Sequence, residues 1–281
     1  MTALLFDCDG VLADTERFGH LPAFNQTFAD FGVPARWTEA EYAKKLKIGG
    51  GKERMASLFE DPDFVAAAHI PDDDQSRESL LAQWHKAKTA HFKQLVAQGA
   101  IPPRSGIARL IPAALDAGWT VAVCSTSAPE SVGAVLRRAV GEAVAARVPM
   151  FAGDVVPAKK PDPGIYLLAI DKLALQPDET LVVEDSRNGL LAAVGAGLHC
   201  VVTVNDYTRD ETFDEASLVV SELGDPGAAP IAVLANRSAA DPHDYVTLDD
   251  LRAVLAPRSV PPDPPASPGP RATNHPEKEA P

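Results

Sequence analysis

The stretch Ala3-Leu4-Leu5-Phe6-Asp7-Cys8-Asp9-Gly10-Val11-Leu12 runs from four apolar residues into two acids one residue apart, then a glycine. An apolar run this short, bounded by charge, reads as a strand buried on both faces, as in a parallel sheet; a half-exposed strand would alternate. Extended backbone sends residues two apart to the same side, so Asp7 and Asp9 face one site while Cys8 turns away. In open parallel sheets ligands sit just beyond the carboxyl ends of the strands, where these acids fall.

Outward from this stretch, strand and helix signals alternate. Helical periodicity covers Ile107 to Ala117 and stops at Gly118, and Trp119 to Cys124 reads as a strand. Pro129 to Val140 reads as a helix, Val148 to Ala152 as a weak strand, and a further helix starts near Pro163. Thr180 to Val183 is a strong strand, Arg187 to Ala196 a helix and Cys200 to Val204 another strand. This pattern predicts an α/β fold, a Rossmann-like parallel sheet covered by helices on both faces. Between the first strand and Pro102-Pro103 no strand is legible. Phe18, Leu21, Phe24, Phe28 and Phe31 recur at helical spacing, with Pro22 starting or kinking that helix. Thr38 and Glu41 form a capping box, and Arg77 to Gln98 is a long amphipathic stretch closed by Gly99. The expected organisation is a core of residues 1–15 and 102–225, an inserted all-helical domain over 16–101, and an extension over 226–256 with a short helix from Val246 to Leu255. A tail over 257–281, in which nine of 25 residues are proline, has too few large apolar residues to order itself.

Of 281 residues, 26 are basic and 39 acidic, a formal charge of −13 that argues against general binding to nucleic acid or anionic membranes. The longest apolar run, Leu190 to Val204, is broken by Gly195, Gly197, His199 and Thr203, so no membrane span is expected. The amino terminus lacks a basic-then-apolar signal, and three widely spaced cysteines (Cys8, Cys124, Cys200) make no disulfide framework. A soluble, cytoplasmic protein is expected.

Three more strand ends carry chemistry. Cys124-Ser125-Thr126-Ser127 places hydroxyls and free backbone N–H groups just before a helix, a cradle for an anion, with Ser127 also suited to cap that helix. Lys159-Lys160-Pro161 can deliver a point charge to a phosphoryl oxygen. Glu184-Asp185 ends an apolar strand in two acids that are costly to bury without a cation, and hard carboxylate oxygens suit Mg²⁺; a helix-capping role for Asp185 is the plainer alternative. In the helical insertion, Lys44 to Arg54 holds five basic residues and one acid. Gly49-Gly50-Gly51 interrupts it before a helix beginning near Lys52, leaving backbone donors free to meet an anion.

Asp-x-Asp, Ser/Thr, Lys and paired acids on successive strand ends resemble the haloacid dehalogenase superfamily of aspartate-nucleophile phosphotransferases, over roughly residues 1 to 225. Leu46 to Met55, Val123 to Ser127 and Phe151 to Pro157 are more specific, and with them the chain is most similar to the family of Rubisco-associated xylulose-1,5-bisphosphate phosphatases. The helical insertion looks like that superfamily's mobile cap. The resemblance implies Asp7 as nucleophile, forming an aspartyl-phosphate, and Asp9 as the acid and base. It implies Ser125, Thr126 and Lys160 on the phosphoryl oxygens, and Mg²⁺ on Asp7, the Asp9 carbonyl and Asp185, with Glu184 a further or water-mediated ligand. C–halogen cleavage needs neither a metal nor a leaving-group acid, so dehalogenation would leave these acids idle. The basic glycine-rich segment is read as a second-phosphate site through Lys47 and Arg54, with Gly49, Gly50, Gly51 and Lys52 contributing. Glu16, His20 and Tyr42 are placed near sugar hydroxyls, although a packed histidine fits His20 equally. The expected function is Mg²⁺-dependent hydrolysis of a small sugar phosphate, with xylulose 1,5-bisphosphate first and a functional link to Rubisco. A β-phosphoglucomutase-like phosphosugar mutase, or a silent sugar-phosphate binding module, are the alternatives.

Overall fold

The computed structural model describes residues 2–256; the tail expected over 257–281 lies outside them. Seven strands form one sheet: β1 (Ala3–Phe6), β2 (Thr120–Ser125), β3 (Met150–Ala152), β4 (Thr180–Glu184), β5 (His199–Thr203), β6 (Leu218–Val220) and β7 (Val233–Asn236). Their order is β3-β2-β1-β4-β5-β6-β7, parallel throughout except for β7, which pairs antiparallel with β6. The apolar opening run therefore becomes the central strand, buried at every residue. Leu4 and Phe6 point into one core layer, with Val121, Val123, Leu181 and Val183; Ala3 and Leu5 point into the other, with Ala122, Cys124 and Val182. A continuous hydrophobic run is what a strand covered on both faces requires.

The insertion contains no strand among the described residues. It carries α1 (Leu21–Asp30), α2 (Glu39–Lys45), α3 (Gly51–Ala56), α4 (Pro62–Ala67) and α5 (Asp74–Ala97). A single wide turn over Glu16–His20 precedes α1, and Pro22 sits in the first turn of that helix, where its missing N–H costs nothing. This joint rotates the aromatic stripe: Phe24 and Phe28 are buried, but Phe18 and Phe31, expected on the same face, are each 42% exposed. The Thr38–Glu41 capping box opens α2.

After the insertion come α6 (Ile107–Asp116), α7 (Pro129–Val140), α8 (Glu142–Ala145), α9 (Gly164–Leu173), α10 (Arg187–Gly195) and α11 (Leu248–Leu255). Helices α6, α7 and α11 line the Leu4–Phe6 layer, and α9 and α10 the Ala3–Leu5 layer. Sequence reading passed over β6 and β7, because β6 has only three residues and β7 is a largely exposed edge within an Ala/Pro/Gly-rich stretch. Residues 226–256 are also not an appendage to the sheet: β7 extends it, and Val246, Leu251 and Val254 are buried in the same core layer as Leu4.

Candidate active site

Phe6 is in register with both Val123 and Val183, so one residue further on Asp7 stands level with Cys124 and Glu184 at the carboxyl edge. Its N–H donates to the Val183 carbonyl at 3.0 Å, which holds the strand direction into the loop. Lys160 reaches this edge from the segment before α9. Its Nζ donates to Asp7 Oδ1 at 2.6 Å, to Glu184 Oε1 at 2.6 Å and to the Cys124 carbonyl at 2.9 Å. Burial opposes the Lys160 charge, yet the two carboxylates outweigh it and raise its pKa above the ordinary lysine value. Asp7 is pushed up to about 7, first by burial and then by the Glu184 and Asp9 charges, against the pull of Lys160.

Oxygens of Asp7, Glu184 and Asp185 lie within 4.8 Å of one another. Burial, with the Glu184 and Asp7 charges, drives Asp185 well above the usual carboxylate range. Three buried acids around one ammonium leave negative charge uncompensated, and an all-oxygen set of this kind fits a hard divalent cation. Close packing secures both members of the acidic pair. At Gly10, φ is +78° and a Cβ would overlap the Asp185 carboxylate; at Gly189 a Cβ would overlap that of Glu184. Of the residues expected to hold metal, Glu184 spends Oε1 on Lys160 and on the Tyr166 hydroxyl, 2.5 Å away. It serves first to place Lys160. The Asp9 side chain stands outside the acidic group, leaving only its carbonyl for the expected ligand role. Asp185 does not cap α10; Ser186 does, accepting from the Gly189 N–H at 3.2 Å.

Asp9 Oδ1 meets His20 Nε2 at 2.8 Å, and the Ser127 hydroxyl donates to Oδ2. Burial would raise Asp9, but the His20 interaction and the Ser127 hydrogen bond outweigh it and hold its carboxyl below the usual range. His20 Nδ1 lies 2.6 Å from Lys88 Nζ. A charged Lys88 can only donate, which makes Nδ1 the acceptor and Nε2 the N–H that faces Asp9. His20 stacks on Phe92, with ring centroids 4.3 Å apart. Both ring nitrogens are thus engaged, as a packed histidine requires, while the ring also lines the cavity. Ser127, expected to cap α7, is not its N-cap; Ala128 is. Ser125 is buried and accepts from the Ser127 N–H at 3.2 Å, whereas Thr126 and Ser127 line the cavity.

That cavity has a volume of 710 Å³ and joins the strand ends to the insertion. Glu16, His20, Lys47, Gly49, Gly50, Gly51 and Arg54 all line it. Tyr42 stands behind them: fully buried, its hydroxyl donates to Glu16 Oε2 at 2.5 Å and accepts from Arg54 Nη1 at 2.9 Å. Arg54 Nη1 is also 3.5 Å from Glu16 Oε1. Lys52 departs from expectation. It turns to Asp154 at 3.6 Å and lines a smaller adjoining pocket of 120 Å³. Beside it Lys159 pairs with Glu53 at 2.8 Å, so the insertion is pinned to the sheet-bearing part by ion pairs. Lys88, Tyr166 and Asn205 were not found by sequence reasoning. Lys88 lies within a long helix and Tyr166 in the first turn of α9, neither at a strand end, and Asn205 lies past the strands that carried motifs.

Fold and site together define a hydrolase built around a strand-end aspartate with a lysine and a cluster of acids. Residues 1–197 match the family of haloacid dehalogenase-like hydrolases, and the chain belongs to that family. It is 46% identical over 225 residues to the CBBY-like protein of Arabidopsis thaliana, covering 80% of this chain and 70% of the relative. To Protein CbbY of Cereibacter sphaeroides it is 41% identical over 230 residues, covering 80% and 94% respectively. A crystal structure of a mutant CbbY from Rhodobacter sphaeroides in complex with xylulose-(1,5)bisphosphate is similar at a TM-score of 0.71 and 39% identity, covering 81% of this chain and 97% of that one. Among the described residues no helix is long and apolar enough to cross a membrane.

Proposed function

We propose that this chain is an Mg²⁺-dependent phosphatase that removes one phosphoryl group from a small sugar bisphosphate, xylulose 1,5-bisphosphate first among them, through an aspartyl-phosphate on Asp7. One observation carries the reading: a single cavity holds Asp7, Asp9 and Lys160 at the sheet end and Lys44, Lys47 and Arg54 at the helical end. A substrate with two anionic ends meets a cation at each. The relatives' substrate complex supports the same class of ligand.

Asp7 attacks phosphorus, and the bond to the sugar oxygen breaks as the aspartyl-phosphate forms. Lys160 and the N–H of Thr126 face the charge that spreads over the phosphoryl oxygens. Asp7, Asp185 and the Asp9 carbonyl would hold Mg²⁺, which would supply the charge neutralisation that lets an anion approach an anion. Asp9 carries a proton to the leaving oxygen and then takes one from the water that cleaves the intermediate. It starts ionised because His20 and Ser127 stabilise its charge; an arriving phosphate, a like charge beside it, favours uptake from solvent of the proton that Asp9 then delivers. Arg54, steadied by Glu16 and Tyr42, and Lys47 receive the second phosphate. The helical insertion acts as the cap that completes this cavity. A link to Rubisco follows from clearing an inhibitory bisphosphate and needs no contact between the proteins.

The test is phosphate release, with product analysis, from mono- and bisphosphates of pentuloses and hexoses in Mg²⁺. One phosphate freed per turnover, fastest on xylulose 1,5-bisphosphate, is expected. Phosphoryl return to sugar with no net phosphate would make the protein a mutase.

A further inference from the structure

Tyr207 lies just past β5, yet it packs against the apolar cluster of the helical insertion, whose other members all fall between Leu21 and Trp84. Its ring meets Tyr42 edge-on, with centroids 6.1 Å apart and planes at 83°. Arg17 lies over the same ring at 5.7 Å and pairs with Asp206 at 2.7 Å. Arg17 also reaches Glu39, ahead of Tyr42 on α2, at 3.2 Å. The insertion thus grips residues 206 and 207 by charge and by packing.

The neighbouring residue holds the acidic cluster. Asn205 Nδ2 donates to Asp185 Oδ2 at 2.7 Å. Its other amide atom, Oδ1, accepts from the Tyr207 N–H at 2.9 Å. The Asn205 N–H donates to Thr208 Oγ1 at 3.1 Å, and the Thr208 and Arg209 N–H groups donate back to the Asn205 carbonyl at 3.2 and 3.0 Å. One planar amide therefore joins Asp185 to a turn that the insertion clasps.

We propose that Asn205 is a positioning residue for Asp185, and that residues 205–209 couple the docked position of the helical insertion to metal binding at Asp7 and Asp185. The inference rests on reading those two acids as the metal pair. Asn205 engages Oδ2 of Asp185 and sets the rotation of the carboxylate, as partners behind a ligand do in metal sites. When the insertion moves away, Arg17 and Tyr42 leave, and the turn either follows or exposes the Tyr207 ring; both displace the amide from Asp185. Linkage is reciprocal, so a bound cation also favours the docked insertion.

Binding of Mn²⁺ alone to the full chain, followed by the electron paramagnetic resonance signal of the free ion, tests this without substrate or turnover. Asn205→Ala is expected to raise the Mn²⁺ Kd roughly tenfold or more, with partial recovery in Asn205→Ser, which keeps a donor. Arg17→Ala touches no acid of the cluster and is half-exposed, so it should fold; it is expected to raise Kd about two- to tenfold. The double variant should bind no more weakly than Asn205→Ala, because the path is already cut. Unchanged Kd in Asn205→Ala overturns the positioning role. An effect of Asn205→Ala with none from Arg17→Ala, or strictly additive effects, overturns the coupling. A wild type that binds no Mn²⁺ overturns the inference and the metal reading together. A wrong substrate reading would show only in phosphate release and leave these titrations unchanged.

Discussion

Lys160 bridges Asp7 and Glu184 at the acidic cluster, and its side chain is 8% exposed. Removing one partner of a buried ion pair leaves charge without compensation, at a cost of about 3–5 kcal/mol. Lys160→Met is therefore expected to lower unfolding free energy by about that amount in chelator, and by less in Mg²⁺, which supplies positive charge at the same place. Denaturant melts under the two conditions check this; equal losses in both would mean the acids hold no metal. Arg54 is expected to distinguish substrates. A charge-assisted hydrogen bond to phosphate contributes roughly 1.5–3 kcal/mol, so Arg54→Ala should lower kcat/KM on xylulose 1,5-bisphosphate about ten- to a hundredfold. On p-nitrophenyl phosphate, which has no second phosphate, little change is expected. Because Arg54 also braces Tyr42 and Glu16, equal losses on both esters would assign it to the shape of the insertion.

Elements that carried no motif still bear load. Helix α11 closes the core layer over β4 and α6, with Leu251 fully buried and Val254 nearly so. Leu251→Ala removes a side chain from packed surroundings and is expected to cost about 2–5 kcal/mol, read as a lower denaturant midpoint with kcat unchanged where the protein remains folded. A loss within about 0.5 kcal/mol, as for a surface substitution, would mean that residues 226–256 contribute little to the core. The wide turn over Glu16–His20 matters in a different way: it brings His20 back over Asp9 while Glu16 faces Arg54.

For the molecule as a whole, the acidic cluster ties stability to pH and metal. Asp7 sits at about 7 in the folded, metal-free protein against an ordinary 3.8, a shift caused chiefly by burial. Between those values the folded state binds more protons than the unfolded one, so stability falls as pH rises through the window. Asp185 is shifted in the same direction. Mg²⁺ binds the deprotonated acids and is thus expected to raise Tm more at pH 7.5 than at pH 5. Calorimetry with saturating Mg²⁺ and with chelator at both pH values measures the difference. A Tm increment independent of pH would mean that these carboxylates are not what the metal meets.

Much of this was legible before any coordinates. The Ala3–Phe6 run, the acids after it and the Glu184-Asp185 pair each obey local rules of burial and strand periodicity, so the parallel sheet and its reactive edge could be read along the chain. The basic Lys44 to Arg54 segment was legible as charge and glycine content, and its residues do face the cavity, except that Lys52 pairs with Asp154. The tertiary structure decided the partners. Glu184, read as a further or water-mediated metal ligand, stays within the acidic group while its Oε1 holds Lys160 and Tyr166, and His20, read either as a sugar contact or as a packed histidine, lines the cavity between Asp9 and Lys88. Asn205 acquires a role only because β5 lies beside β4, which brings it next to Asp185. Local sequence sets which backbone a segment adopts and which face it buries. Which polar group meets which depends on register and packing between segments as far apart as 189 residues, the separation of Arg17 and Asp206, and no local pattern encodes that.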